Sequence, residues 1–342
     1  MKKDMNEWIY QLSNSGKRFA MPILSFPGIE IINKEVRDVV TDGSVQYECM
    51  KALSDRYPAA AALTVMDLSI EAEVFGSPVT FSDDEVPTVT SRIVDDEDDI
   101  KSLSEPMVGD GRTFQCLRAA ELAVAGIKDR PVFGSVIGPF SLAGRLMGMT
   151  EIMIKGKRKP EMVNMLMDKA TAFIARYASA FKNTGVNGIV MAEPAAGLLS
   201  PVMCEEFSSK YVKKIVDSVQ DENFIVILHN CGNTVKLVNS MISTGAKGLH
   251  FGNAIDLTDV MPLIPWGRFA AGNIDPVGVF RNGTPDDIRK VTWDLLEKTA
   301  IYKNYVISSG CDIPQGTKLE NIDAFYDTVQ EFNEIVFKEH VA

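Results

Sequence analysis

No long run of lysines or arginines occurs in this sequence, and with 35 basic against 46 acidic residues its formal net charge is −11. A phosphate backbone would be repelled on balance, which excludes nucleic acid as an expected partner. No apolar stretch is long enough to span a bilayer, and the opening "MKKDMNEWIYQLSNSG" lacks the apolar core and cleavage site of a secretory signal. The expectation is a cytoplasmic chain with no membrane contact. Five cysteines among 342 residues form no evident disulfide framework, and a reducing compartment leaves them as thiols, ligands or nucleophiles. Solenoid repeats, low-complexity segments and linkers are also missing, so residues 1–342 are expected to form a single domain.

The sequence is rich in short aliphatic runs that end in Gly, Asn, Asp or Pro and alternate with longer amphipathic stretches. That is the pattern of repeated βα units around a parallel sheet. Eight strands are expected, at 19–26, 61–67, 131–138, 188–194, 224–230, 248–253, 268–273 and 305–311. Helices are expected at 113–126, 160–184, 201–219, 234–243, 284–299 and 320–337, several of them opened by Ser-Pro, Thr-Pro or Pro. Eight such units give an α/β (β/α)₈ barrel with an N-terminal extension and an insertion between the second and third strands. Within the insertion, 79–99 alternates like a hairpin, and its acidic run "DDEDD" reads as a solvated loop with no cation site.

Barrels of this type carry their chemistry where the strands end at the C-terminal rim. Here the strand ends supply Asp67, Glu193, His229 with Cys231, His250 with Asn253, Asn273 with Asp275, and Cys311. In "IVILHNCGNTVKL" (225–237) an apolar run stops at a His and a Cys spaced by two, which share a face if the strand continues through them. His229, Cys231 and Cys311 together match a three-ligand zinc site with an open fourth position, and both thiols lie in small-residue turns, "HNCGN" and "SSGCD". Ordinary packing accounts for Cys49, Cys116 and Cys204, which sit in helical patterns. A hydrogen-bonded structural role is the preferred reading of His250, and His340 is expected to be solvated. Zinc with two thiolate ligands is electron-rich, which favours activating a thiol for alkyl transfer over generating hydroxide for hydrolysis.

The stretches "GSVIGPFSLAG" (134–144), "EPAAGLLSP" (193–201), "LHNCGNT" (228–234), "GNIDPVGVFRNGTPDDI" (272–288) and "SSGCDIP" (308–314) resemble the uroporphyrinogen decarboxylase superfamily. Within it they are most similar to the methylcobamide:coenzyme M methyltransferases and their tetrahydrofolate-using bacterial relatives. The resemblance implies a barrel with its pocket at the strand C-termini and zinc at His229, Cys231 and Cys311. A separate corrinoid protein would present the methyl group as methylcobalamin, and coenzyme M, another thiol or tetrahydrofolate would accept it. By the same resemblance Glu193 is a fourth ligand or substrate contact, and Asp67 falls near the central aspartate of the decarboxylases. Asn253, Asn273 and Asp275 are candidate substrate contacts. A lyase acting on a tetrapyrrole carboxylate through Asp67, and a non-catalytic corrinoid or tetrapyrrole binder, are the alternatives. Against the lyase, no arginine stands between Arg18 and Arg37, where decarboxylases carry an Arg-rich loop.

Overall fold

The computed structural model describes residues 3–341, with side chains described as far as residue 335, so His340 lies outside the described side chains. Seven strands, β1 (Ala62–Leu63), β4 (Val132–Ile137), β5 (Gly188–Ala192), β6 (Ile225–Asn230), β7 (Gly248–Phe251), β8 (Phe269–Ile274) and β9 (Tyr305–Ser309), form one sheet in that order. Every neighbouring pair in it is parallel. The eighth position is filled by residues 19–23: Ala20 bridges to Ile307 in β9, and the Ala20 carbonyl accepts from Ala60 N just ahead of β1. This contact curls the sheet into a closed barrel.

The closing segment was expected to be a full strand over 19–26. It makes only one ladder bridge because Pro22 has no N–H, and the next amides turn to side chains. Ile23 N donates to Ser309 Oγ at 3.0 Å, and Ser25 N donates to the Asp312 carboxylate at 3.0 Å. β1 is shorter than expected for the same reason, since Met66 N leaves the ladder for Ser25 Oγ at 3.2 Å.

Alternation along the strands separates two apolar sets. Phe133, Val190, Ile225, Ile227, Phe269, Ala271 and Val306 fill the barrel and join Met5, Ile9 and Leu12 of the helix Met5–Asn14 in one buried cluster. Trp8 of that helix packs edge-on against Phe269, with ring centroids 5.6 Å apart. The N-terminal extension is therefore a plug at the barrel end opposite the strand C-termini. The alternate residues, among them Ile189, Met191, Val226, Leu228, Leu249 and Ile307, face the surrounding helices.

Helix Pro160–Thr184 has Pro at its first turn and Gly185 in the left-handed region (φ 91°) at its end. Helix Pro285–Lys298 starts from a Thr284 capping box. The 201–219 helix carries a π-turn at Glu205–Ser209 between Pro201–Cys204 and Lys210–Val219. In the insertion, β2 (Val79–Thr80) and β3 (Thr88–Val89) pair antiparallel as the alternation implied. The acidic run is no loop: Asp96 caps the helix Glu97–Ser102, and Asp99 completes the capping box. Among the described residues no helix is long and apolar enough to cross a membrane.

Candidate metal centre

His229 sits in β6, in register with Ala192 of β5 and His250 of β7, and it is buried. β6 ends at Asn230, so Cys231 stands just past the strand and is held by the turn instead of by the ladder. Asn230 builds that turn: its side chain accepts from Gly232 N at 2.8 Å and donates to the Glu193 carbonyl at 2.7 Å, while its own carbonyl accepts from Gly252 N at 3.1 Å. Gly252 lets β7 approach closely, because a Cβ there would lie 2.4 Å from Cys231 Cα. Cys311 follows β9 beyond Gly310, whose N–H donates to the Ile274 carbonyl at 2.6 Å.

These loops bring three donor atoms together. One ligand atom from each of His229, Cys231 and Cys311 lies within 4.8 Å of the others, and no other such group of His, Cys, Asp and Glu occurs among the described residues. His229 Nδ1 is 2.8 Å from His250 Nδ1, whereas its Nε2 is buried without a hydrogen-bond partner. A buried orphan nitrogen is costly unless something is meant to meet it. Burial pushes the Cys49 and Cys116 thiols up to about 12 and the Cys204 thiol up to about 11. Cys231 moves the other way: the Cys311 thiol hydrogen-bonds to it, which holds it well below the ordinary thiol range. Two soft sulfur donors and an imidazole with a free lone pair are the donor set that suits zinc.

The other strand-end residues lie outside this trio. Glu193 is buried and its carboxylate accepts from Phe140 N and Ser141 N, both at 2.8 Å, and from Ser208 Oγ at 3.0 Å. It therefore sits on the first turn of helix Pro139–Met147, where the N-terminal amides and helix dipole favour a negative charge. Asp67 is buried and accepts from Ser69 N at 2.8 Å, Ser69 Oγ at 2.7 Å and Arg112 Nη1. Arg112 also donates through Nε to Glu73 at 2.5 Å. Asn273 donates to the carbonyls of Gly252 (3.0 Å) and Ile255 (2.8 Å), and Asp275 accepts from Val277 N (2.9 Å) and Gly278 N (2.8 Å). Asn253 is exposed beside Gly310. The partnership of Asp67 with Arg112 spans 45 positions and carries no local sequence signal. His250 is hydrogen-bonded as expected, but its partner is His229 itself, which only the β6–β7 register reveals.

Fold and donor set together define a (β/α) barrel with a cluster of two thiols and an imidazole on its C-terminal rim that could hold a metal ion. The chain belongs to the uroporphyrinogen decarboxylase (URO-D) family, whose model matches residues 18–332. Among curated proteins it is 28% identical over 272 residues to the methylcobamide:CoM methyltransferase MtbA of Methanosarcina acetivorans, covering 78% of each chain. It is 26% identical over 282 residues to a uroporphyrinogen decarboxylase of Thermodesulfovibrio yellowstonii, covering 80% of this chain and 79% of that one. Among solved structures, a methyltransferase from Methanosarcina mazei superposes with a TM-score of 0.85 at 21% identity, over 96% of this chain and 99% of that one, which establishes the shared fold.

Proposed function

We propose that this chain is a zinc-dependent methyltransferase that moves a methyl group between a methylcobamide, carried by a corrinoid protein, and an acceptor. The favoured acceptor is a thiol such as coenzyme M, with tetrahydrofolate as the other candidate. The observation that carries the reading is the convergence of His229, Cys231 and Cys311 from β6 and β9. The similarity to a protein named as a methylcobamide:CoM methyltransferase supports the choice of donor and acceptor.

His229, Cys231 and Cys311 would hold the metal. Bound there, zinc would supply a Lewis acid that keeps a substrate thiol as thiolate at neutral pH, without the strong hydroxide of a hydrolase. The acceptor sulfur attacks the methyl carbon. A sulfur–carbon bond forms, the cobalt–carbon bond breaks, and its electron pair stays with the corrinoid as cobalt(III) becomes cobalt(I).

Asn230 fixes the turn that carries Cys231, and Glu193 ties β5 to the helix after β4, so both set the shape of the mouth. Asn253, exposed beside Gly310, is assigned as an acceptor contact, whereas Asn273 and Asp275 act by holding the β7 and β8 loops. Asp67 contributes as the buried partner of Arg112 beneath the rim. Its burial and its hydrogen bonds to Ser69 and Arg112 disfavour the tetrapyrrole lyase, in which that carboxylate would have to meet substrate.

The test incubates zinc-loaded protein and methylcobalamin with coenzyme M, homocysteine or tetrahydrofolate in turn, following the cobalt(I) absorbance. Cobalt(I) formation with a thiol is the expected result. No signal with any of the three acceptors contradicts the reading.

A further inference from the structure

Behind His229 runs a chain of hydrogen bonds with only one consistent arrangement of protons. His229 Nδ1 lies 2.8 Å from His250 Nδ1, His250 Nε2 lies 2.8 Å from Ser308 Oγ, and Ser308 Oγ donates to the Met21 carbonyl at 2.7 Å. All three side chains are buried, so water does not interrupt the chain. The last acceptor is a backbone carbonyl, which has no proton to give. The single hydroxyl proton of Ser308 is therefore committed to Met21, and Ser308 can only accept from His250. His250 must carry its proton on Nε2, and because the ring is buried and neither hydrogen-bonded partner, His229 nor Ser308, offers a negative charge to balance a second proton, it stays neutral and its Nδ1 is bare. The bare nitrogen can only accept, so His229 Nδ1 must donate.

We infer that His250, Ser308 and the Met21 carbonyl form a positioning relay that locks a proton on His229 Nδ1 and so reserves His229 Nε2, the buried nitrogen without a partner, for a metal ion. The inference rests on the metal reading above for its purpose and on hydrogen-bond geometry and burial for its proton arrangement. A ligating histidine usually passes its second N–H to a carboxylate, a carbonyl or water. Here a second, neutral imidazole does that work, and the lock originates in the segment at residues 19–23 that closes the barrel. Between β7 and β9, the β8 residue in register with His250 is Ala271, a member of the barrel-filling set that adds only a methyl group.

The chain has only three histidines, so nitrogen-15 histidine labelling of the full protein gives a readable long-range proton–nitrogen spectrum, with His340 assigned by a His340→Gln variant. The relay requires His250 to be protonated on Nε2 alone and His229 to be protonated on Nδ1, in both metal-free and zinc-loaded protein. His250 protonated on Nδ1, or His229 with a bare Nδ1, overturns it. Zinc affinity supplies the second readout. Ser308→Ala should weaken it about 10–100-fold, the usual cost of losing such a partner, and Ser308→Thr, which keeps the hydroxyl, should restore it. Equal affinity in Ser308→Ala and the parent overturns the relay. A parent that shows the expected proton positions but binds no zinc supports the relay and overturns the metal reading instead.

Discussion

Cys231 and Cys116 carry the same side chain in opposite surroundings. Cys116 is enclosed by apolar groups that penalise a thiolate, while Cys231 is stabilised as one by the hydrogen bond from Cys311. Metal-free protein treated with limiting iodoacetamide near pH 7 should therefore be alkylated first at Cys231, with Cys49, Cys116 and Cys204 unmodified, as mapped by mass spectrometry. Added zinc should protect Cys231. Glu71 gives a second test at this scale. Burial first, then Asp67, raises its pKa from 4.5 to about 7 against the opposing bond from Ile137 N. Between those two values the unfolded chain has lost a proton that the native chain keeps, so stability falls as pH rises, by about 1.4 kcal/mol per pH unit from this group alone. Glu71→Gln should flatten that fall and raise stability at pH 8 by about 2–3 kcal/mol in urea unfolding, with little change at pH 4. The convergence of His229, Cys231 and Cys311 was legible in the sequence because thiols and imidazoles past strand ends are chemically distinctive. The Asp67–Arg112 pair and the His229–His250 contact were not, because each depends on elements brought together by the fold.

At the level of elements, the site depends on loops that touch backbone to backbone. Gly252 faces Cys231, and Gly197 and Gly232 each place a virtual Cβ 3.0 Å from the other's Cα. Gly252→Ala should force the β7 loop off Cys231, costing about 1–3 kcal/mol and at least a tenfold loss in zinc affinity measured with a chromophoric chelator. Helices with Pro at the first turn and a Gly or Thr cap were readable nearly to the residue, as Pro160–Thr184 shows. Pro139–Met147 was not expected as a helix, because its opening Gly-Pro also reads as a turn, whereas the helical pattern read around Cys49 lies in the helix Gly43–Arg56. Residues 19–26 were expected to form a strand, and Pro22 reduced that strand to a single bridge.

For the molecule as a whole, the barrel separates stability from chemistry along its axis. Helix Met5–Asn14 closes one end with Met5, Ile9 and Leu12, and the thiols gather at the other. Ile9→Ala should cost about 2–4 kcal/mol in chemical denaturation yet leave zinc content and turnover per folded molecule unchanged. The eight-unit architecture was legible because repeated apolar runs and capped helices alternate along the whole chain, whereas the plug was not, since nothing in "MNEWIYQLSN" (5–14) says which surface it covers. The central claim is that His229, Cys231 and Cys311 form a zinc site. The most direct measurement is the zinc content of the purified, dialysed chain beside its Cys311→Ser variant, by elemental mass spectrometry. About one zinc per parent chain, lost in the variant, is the expected result. A parent without zinc that takes up none when it is offered, or a variant that retains the full amount, would contradict the account.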